Sequence, residues 1–171
     1  LEWNINQRSC ENSSFPEYVI TEISRKNPDV IVLVEFKGEH NRSRLDSAFS
    51  ERYYTYSYNG SQYTSVNGNI KTGNGIYMEL KKSIFNEPSP EEITWEESFK
   101  DKQPNWLKIK STIKTGKELT IIGVRVKVGS KHEKKEWNYR KSQINWLLKE
   151  YKQTTRQIMI GDLNSGPAET D

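Results

Sequence analysis

A chain of 171 residues, 33% hydrophobic and 29% charged, has the length and apolar content of one domain with its own core, and its patterned apolar runs exclude a disordered chain. Lys and Arg number 26 against 23 Asp and Glu, and the resulting charge of +3 permits contact with a polyanion but is far below what a dedicated nucleic-acid binder carries on one face, so charge alone decides little. The single cysteine, Cys10, excludes an intrachain disulfide and points to a reducing, cytoplasmic compartment; no apolar run approaches the ~20 residues that span a bilayer, and residues 1–15 lack the apolar block of a secretory signal.

In chain order, the opening LEWNIN alternates Leu1, Trp3 and Ile5 with Glu2, Asn4 and Asn6, the two-residue period of a half-buried strand. A helix follows, capped by Ser13 or Ser14, with Pro16 in its first turn and Phe15, Val19 and Ile23 at four-residue steps until Asn27-Pro28 closes it. DVIVLVEF is a continuous apolar run of strand length, the pattern of a sheet centre covered on both faces. Leu45, Ala48 and Phe49 predict a second, short helix, after which YYTYSYNGSQY and GNGIYMELKK read as strands joined through Gly, Asn and Ser. Gly73-Asn74-Gly75 lacks the Lys-Ser/Thr of a phosphate loop and reads as a turn. Asn12, Asn41 and Asn59 open Asn-x-Ser triplets, which matter only in a secreted protein.

Residues 86–104 carry Pro88, Pro90, Pro104 and many acids without periodicity, which predicts a surface loop. NWLKIKSTI and ELTIIGVRVKV then flank Lys114-Thr115-Gly116-Lys117, an antiparallel hairpin. Residues 133–151 place Trp137, Ile144, Leu147, Leu148 and Tyr151 on one helical face, and QIMI follows as a strand. Strands alternating with helices, interrupted by one hairpin, predict an α/β domain with a mixed sheet.

Three of these strands carry, at or near their ends, side chains that bind hard cations or phosphate: Asn4 in the first, Glu35 at the end of the second, Asp162 and Asn164 after the last. Central strands of α/β proteins bring their carboxyl ends to one rim, so these residues are expected to converge. Singly, each has a plainer role open to it. Asn4 serves as an ordinary strand residue, Glu35 as a solvated strand end, and Asp162 with Asn164 as a turn bonded to its own backbone. No Cys or His cluster offers zinc ligands, His40 and His132 read as solvated, and no Ser-His-Asp order is present.

Taken together, WNIN, PDVIVLVEF, GNGIYM, LTIIGVRVKV, RKSQINWLL and IMIGDLN stand in the order and rough spacing of the endonuclease/exonuclease/phosphatase superfamily, and the chain resembles that family over nearly its whole length. The resemblance implies the deoxyribonuclease I-like fold, a four-layer α/β sandwich of two facing sheets with helices outside. It also implies hydrolysis of phosphate esters with Mg²⁺ or Mn²⁺, with nucleic acid as the expected substrate and no obligate protein partner; phosphatase and phospholipid phosphodiesterase activities share the same motifs. By motif, Asn4 resembles the active-site asparagine, which also stands beside the metal, Glu35 the metal-binding glutamate, Asp162 the acid that orients or deprotonates water, and Asn164 an amide that contacts phosphate. Leu163 is expected to turn inward and anchor the loop between the last two.

Two departures from the family pattern stand out. Arg125 occupies the place where the family commonly has a His and in some branches a Tyr; it is expected to clamp phosphate with its planar fork, against the plainer reading of an exposed strand arginine. Alternation puts it on the face of Ile121, Gly123 and Lys127, opposite Ile122, Val124 and Val126. The closing strands and terminal Ser-Asp-His motif of the family do not follow Asp171, so residues 1–171 are expected to form a single domain incomplete at its C-terminal end, a fragment of weak activity. A non-catalytic binding module of the same fold is the alternative.

Overall fold

The structure is a computed structural model and describes residues 1–5, 16–36, 42–58, 62–64, 70–72, 75–95, 105–126, 134–151 and 156–164. The readings that rest on Cys10, Ser13, Ser14, Phe15, His40, His132, Gly73-Asn74 and the three Asn-x-Ser asparagines concern residues outside this set.

Its first sheet has the order β1-β2-β6-β3, from β1 (Glu2–Asn4), β2 (Val30–Phe36), β3 (Tyr53–Tyr58) and β6 (Gly75–Lys81). β1 and β2 are parallel; β6 runs antiparallel to both β2 and β3. A small hairpin of β4 (Gln62–Thr64) and β5 (Ile70–Thr72) interrupts the chain between β3 and β6. Outside this sheet lie α1 (Glu17–Lys26) and α2 (Arg42–Phe49). Pro16 is the residue that precedes α1, with no side-chain cap, and Asn27 in a left-handed conformation ends it by donating its N–H to Ile23 O.

The second sheet has the order β10-β9-β8-β7, from β7 (Ile93–Trp95), β8 (Asn105–Thr112), β9 (Glu118–Arg125) and β10 (Gln157–Asp162). β8 and β9 form the expected hairpin, whose turn is closed by Ile113 N–H on Lys117 O. β9 and β10 are parallel. The surface loop expected over residues 86–104 is corrected in part: a 3-10 turn at Pro90–Glu92, closed by a capping box from Ser89, leads into β7, which pairs with β8. Ile93 and Thr94 suit an edge strand, and the run was too short to show a period.

Three apolar layers hold these elements. Ile31, Leu33, Phe36 and Tyr77 pack against Val19, Ile23, Leu45 and Phe49 of the helices. Val32, Val34, Ile76, Met78 and Leu80 face Leu107, Ile109 and Ile121 between the sheets. Trp106, Ile122, Val124 and Val126 pack against α3 (Lys134–Tyr151) through Leu147. The result is the four-layer order of helices, sheet, sheet, helix. No helix among the described residues is long and apolar enough to cross a membrane.

Close approach of the two sheets depends on Gly123. A Cβ there would meet Ile76 Cγ2 and Met78 Cε at 2.9 Å and Val32 Cγ1 at 3.1 Å, inside ordinary contact distance. Gly123→Ala is therefore expected to cost about 1–3 kcal/mol by overpacking, read as a lowered urea midpoint; an unchanged midpoint would mean that the sheets separate without penalty.

The apolar face expected for α3 is corrected. Leu147 is buried and Ile144 half-buried, but Leu148 and Tyr151 are exposed, while the polar Arg140 and Gln143 are buried. Residues 140, 143, 144 and 147 follow the i, i+3, i+4, i+7 line that faces the sheet. Leu148 and Tyr151 lie beside it and, with Met159 and Leu163, line an open groove of about 290 Å³ along the edge strand β10.

Candidate active site

Asn4, Glu35, Arg125 and Asp162 stand at or beside the carboxyl ends of β1, β2, β9 and β10. Because each of these pairs is parallel, each sheet presents two such ends side by side: Asn4 is opposite Val34, the neighbour of Glu35, and Asp162 is opposite Arg125. Hydrogen bonds then join one sheet to the other. Asn4 Nδ2 donates to Asp162 Oδ2 at 2.9 Å, and Arg125 Nε and Nη2 donate to Glu35 Oε1 at 3.0 and 2.9 Å. The side chains of Arg125 and Glu35 are 12% and 11% exposed, so this ion pair is largely enclosed.

Glu35 reaches that position through its backbone. Strict alternation after Ile31 and Leu33 would send its side chain toward α1 and α2. Instead its φ is +57°, and the register with β6 shifts between Val34 and Phe36. Phe36 takes the helix-side place, stacked on Tyr77 at 5.1 Å, and the carboxylate turns to Arg125. A left-handed glutamate is uncommon and costs on the order of 1–3 kcal/mol, and such strain clusters at functional sites. Asn164, with φ +49°, is another left-handed residue here.

Arg125 lies on the inter-sheet face with Ile121 and Gly123, as alternation predicts, but its guanidinium is engaged by Glu35 rather than exposed on a strand. Asp162 makes two contacts: Oδ2 accepts from Asn4 across the sheets, and Oδ1 accepts the Asn164 N–H at 2.8 Å, the turn bond of an aspartate to its own backbone two residues on. Asn164 Nδ2 donates to Val126 O at 2.6 Å, so its amide secures the strand end. Leu163 does not turn inward; it is 42% exposed and lines the groove beside α3, because the turn from Asp162 to Asn164 is anchored by those polar bonds instead.

Two residues here were not singled out in the sequence. Glu2 shares the face of β1 with Asn4, and its carboxyl is held above the ordinary range by burial and, next, by the charge of Asp162. Asn105 is buried opposite Arg125 in the β8–β9 ladder. The two-residue period of LEWN carried the signal for Glu2, and a polar residue opening an apolar strand carried it for Asn105.

No protein-family model and no curated protein matches the chain. Solved structures do, over nearly its whole length, and they establish its fold, the deoxyribonuclease I-like α/β sandwich. D. rerio TDP2 in a form humanized by 14 mutations is 20% identical with a TM-score of 0.69, covering 98% of this chain and 66% of its own. The same protein complexed with single strand DNA product is 18% identical with a TM-score of 0.65, over 98% and 61%. ANGEL2, a 2',3'-cyclic phosphatase, in complex with adenosine-2',3'-vanadate is 17% identical with a TM-score of 0.71, over 97% and 53%. An endonuclease/exonuclease/phosphatase from Beutenbergia cavernae DSM 12333 is 15% identical with a TM-score of 0.66, over 99% and 49%. The chain thus spans from 49% to 66% of the length of these structures.

The donors present include oxygen ligands of the kind a hard divalent cation takes. Glu35, Asn4 and Asp162 offer oxygen ligands, and among the described residues no group of three His, Cys, Asp or Glu could hold a metal. One or two carboxylates with an amide oxygen suit Mg²⁺ or Mn²⁺, which keep several waters, and do not suit a structural zinc.

Proposed function

We infer that the protein is a phosphodiester hydrolase dependent on Mg²⁺ or Mn²⁺, with nucleic acid as its substrate. The observation that carries this reading is the pair of cross-sheet contacts, Asn4 to Asp162 and Arg125 to Glu35, at four strand ends of this fold. Asn4 and Asp162 are 158 positions apart, so this contact joins an early strand to the last described one. The single strand DNA product held by D. rerio TDP2 and the adenosine-2',3'-vanadate held by ANGEL2 support nucleic acid as the substrate class.

In this mechanism Glu35 and Asn4 would hold the cation, which would supply neutralisation of charge on the phosphate. Asp162 directs a water in line with the phosphorus and accepts its proton, oriented by Asn4 Nδ2 and by the Asn164 N–H. Asn164 holds the end of β10 against Val126, and Arg125 offers its fork to the phosphate oxygens. The enclosed Arg125–Glu35 pair favours one other reading, a phosphate-binding module without turnover.

Hydrolysis of a single-stranded oligonucleotide in Mg²⁺ or Mn²⁺ should stop in excess EDTA, and Asp162→Asn should lower kcat at least about 100-fold with an unchanged unfolding midpoint. Undiminished hydrolysis in EDTA would refute the mechanism. Binding of the oligonucleotide with no hydrolysis in either cation would favour the binding module.

A further inference from the structure

We propose that Arg125 is a built-in cation that holds the Glu35 carboxylate until a divalent ion displaces it, so that this one side chain sets the metal affinity of the site. The proposal rests on the reading of Glu35 as a metal ligand.

The geometry behind it is specific. Both Arg125 Nε and Nη2 point at one oxygen, Glu35 Oε1, at 3.0 and 2.9 Å, and both side chains are nearly enclosed between the sheets. Nothing about the pair is a surface accident. Glu35 is turned into it by a left-handed backbone and a shift of register, and Arg125 is fixed beside Asp162 by the β9–β10 ladder. In this state Glu35 is answered from within the chain by Arg125, and Asp162 accepts from the Asn4 amide and the Asn164 N–H.

A divalent ion would need the same carboxylate. Its bond to a carboxylate oxygen is about 2.0–2.1 Å long for Mg²⁺, so an ion on Oε1 and a guanidinium on Oε1 would be two cations within a few ångströms in a poorly solvated place. On that oxygen they exclude each other, and an ion on the neighbouring Oε2 would still meet the guanidinium charge across a single carboxylate. Binding is then limited to the fraction of molecules whose Glu35 has let go of Arg125, and the apparent Kd is the intrinsic one divided by that fraction. The released fork stays at the mouth, where phosphate oxygens are the partners its planar geometry fits. Metal binding and presentation of the phosphate clamp become one event.

The test is metal binding itself, without substrate. Mn²⁺ affinity is measured by calorimetry on the protein, on Arg125→Gln and on Arg125→Lys. Arg125→Gln is expected to bind at least about 10-fold more tightly, as follows if the pair is closed nine-tenths of the time or more, with Arg125→Lys in between. Equal or weaker binding by a folded Arg125→Gln overturns the proposal while leaving Glu35 as a ligand. Should Arg125→Gln fail to fold, the Nε–Hε NMR signal of Arg125 in the unaltered protein decides. It should lose its hydrogen-bonded shift as Mg²⁺ saturates, and an unmoved signal at saturation overturns the proposal. If neither ion binds at all, the metal-site reading falls and this inference with it.

Discussion

Gly161→Ala is expected to dismantle the end of β10. Gly161 has φ +153°, a conformation that residues with a side chain rarely adopt, and it lies opposite Val124 in the β9–β10 ladder. A Cβ on it would stand 1.9 Å from the Val124 carbonyl oxygen and 2.8 and 2.9 Å from the Val124 C and N. These are backbone atoms of a buried strand, and no rotamer change can move them. The ladder would have to part where Asp162 faces Arg125 and where Val126 N–H bonds Asp162 O, so the Asn4–Asp162 contact would go too. A loss of about 4 kcal/mol or more is expected, in the class of backbone strain combined with a broken network.

Gly116→Ala makes the control. Gly116 also has a left-handed φ, +85°, but nothing lies within 4 Å of its missing Cβ, so only the intrinsic cost of about 1–2 kcal/mol applies. Urea midpoints of the two variants should therefore differ widely. Equal midpoints would show that the β10 end yields freely.

The polar ends of apolar runs were legible because a strand closing on Glu, or on Gly-Asp-Leu-Asn, breaks its own pattern. Asn4, Glu35 and Asp162 could be picked out on that ground, and the face of Arg125 followed from counting by two. The partners could not be read in the same way. A bulge at Glu35 reverses parity locally, and no periodicity announces it; only the register against β6 does. Asn164 spends its amide on Val126, and a spacing of two residues after Asp162 is equally consistent with a phosphate contact. On α3, counting apolar residues favoured Leu148 and Tyr151, whereas the sheet takes the line of Arg140, Gln143 and Leu147. Burial there is set by where the helix axis lies, which is a tertiary fact.

A buried carboxyl far from the site gives the last prediction, a loss of stability as pH rises through neutrality. Glu79 lies on the helix-covered face of β6, with none of its surface exposed, and its Oε2 has no hydrogen-bond partner. The Tyr77 hydroxyl is 2.6 Å from Glu79 Oε1 and 3.1 Å from Asp46 Oδ1, one proton between two acceptors. Burial above all, and then the charge of Asp46, push the Glu79 carboxyl up to about 8, against the opposing pull of the Tyr77 hydrogen bond and of Arg52. The folded protein therefore keeps a proton on Glu79 that the unfolded chain gives up near pH 4.5. Between those values the native state binds more protons, so the stability associated with Glu79 is complete below about pH 4.5 and is lost as pH rises to about 8. One proton contributes a slope of about 1.4 kcal/mol per pH unit, and over this window the loss reaches roughly 5 kcal/mol, comparable with the ~5–15 kcal/mol of a whole domain. Glu79→Gln carries no such proton. Its urea midpoint, measured at pH 5, 6, 7 and 8 beside the unaltered protein, should fall much less, leaving the variant the more stable of the two at pH 8. Parallel curves would mean that Glu79 is ionised at neutral pH in the folded state and that Tyr77 alone accommodates both carboxylates.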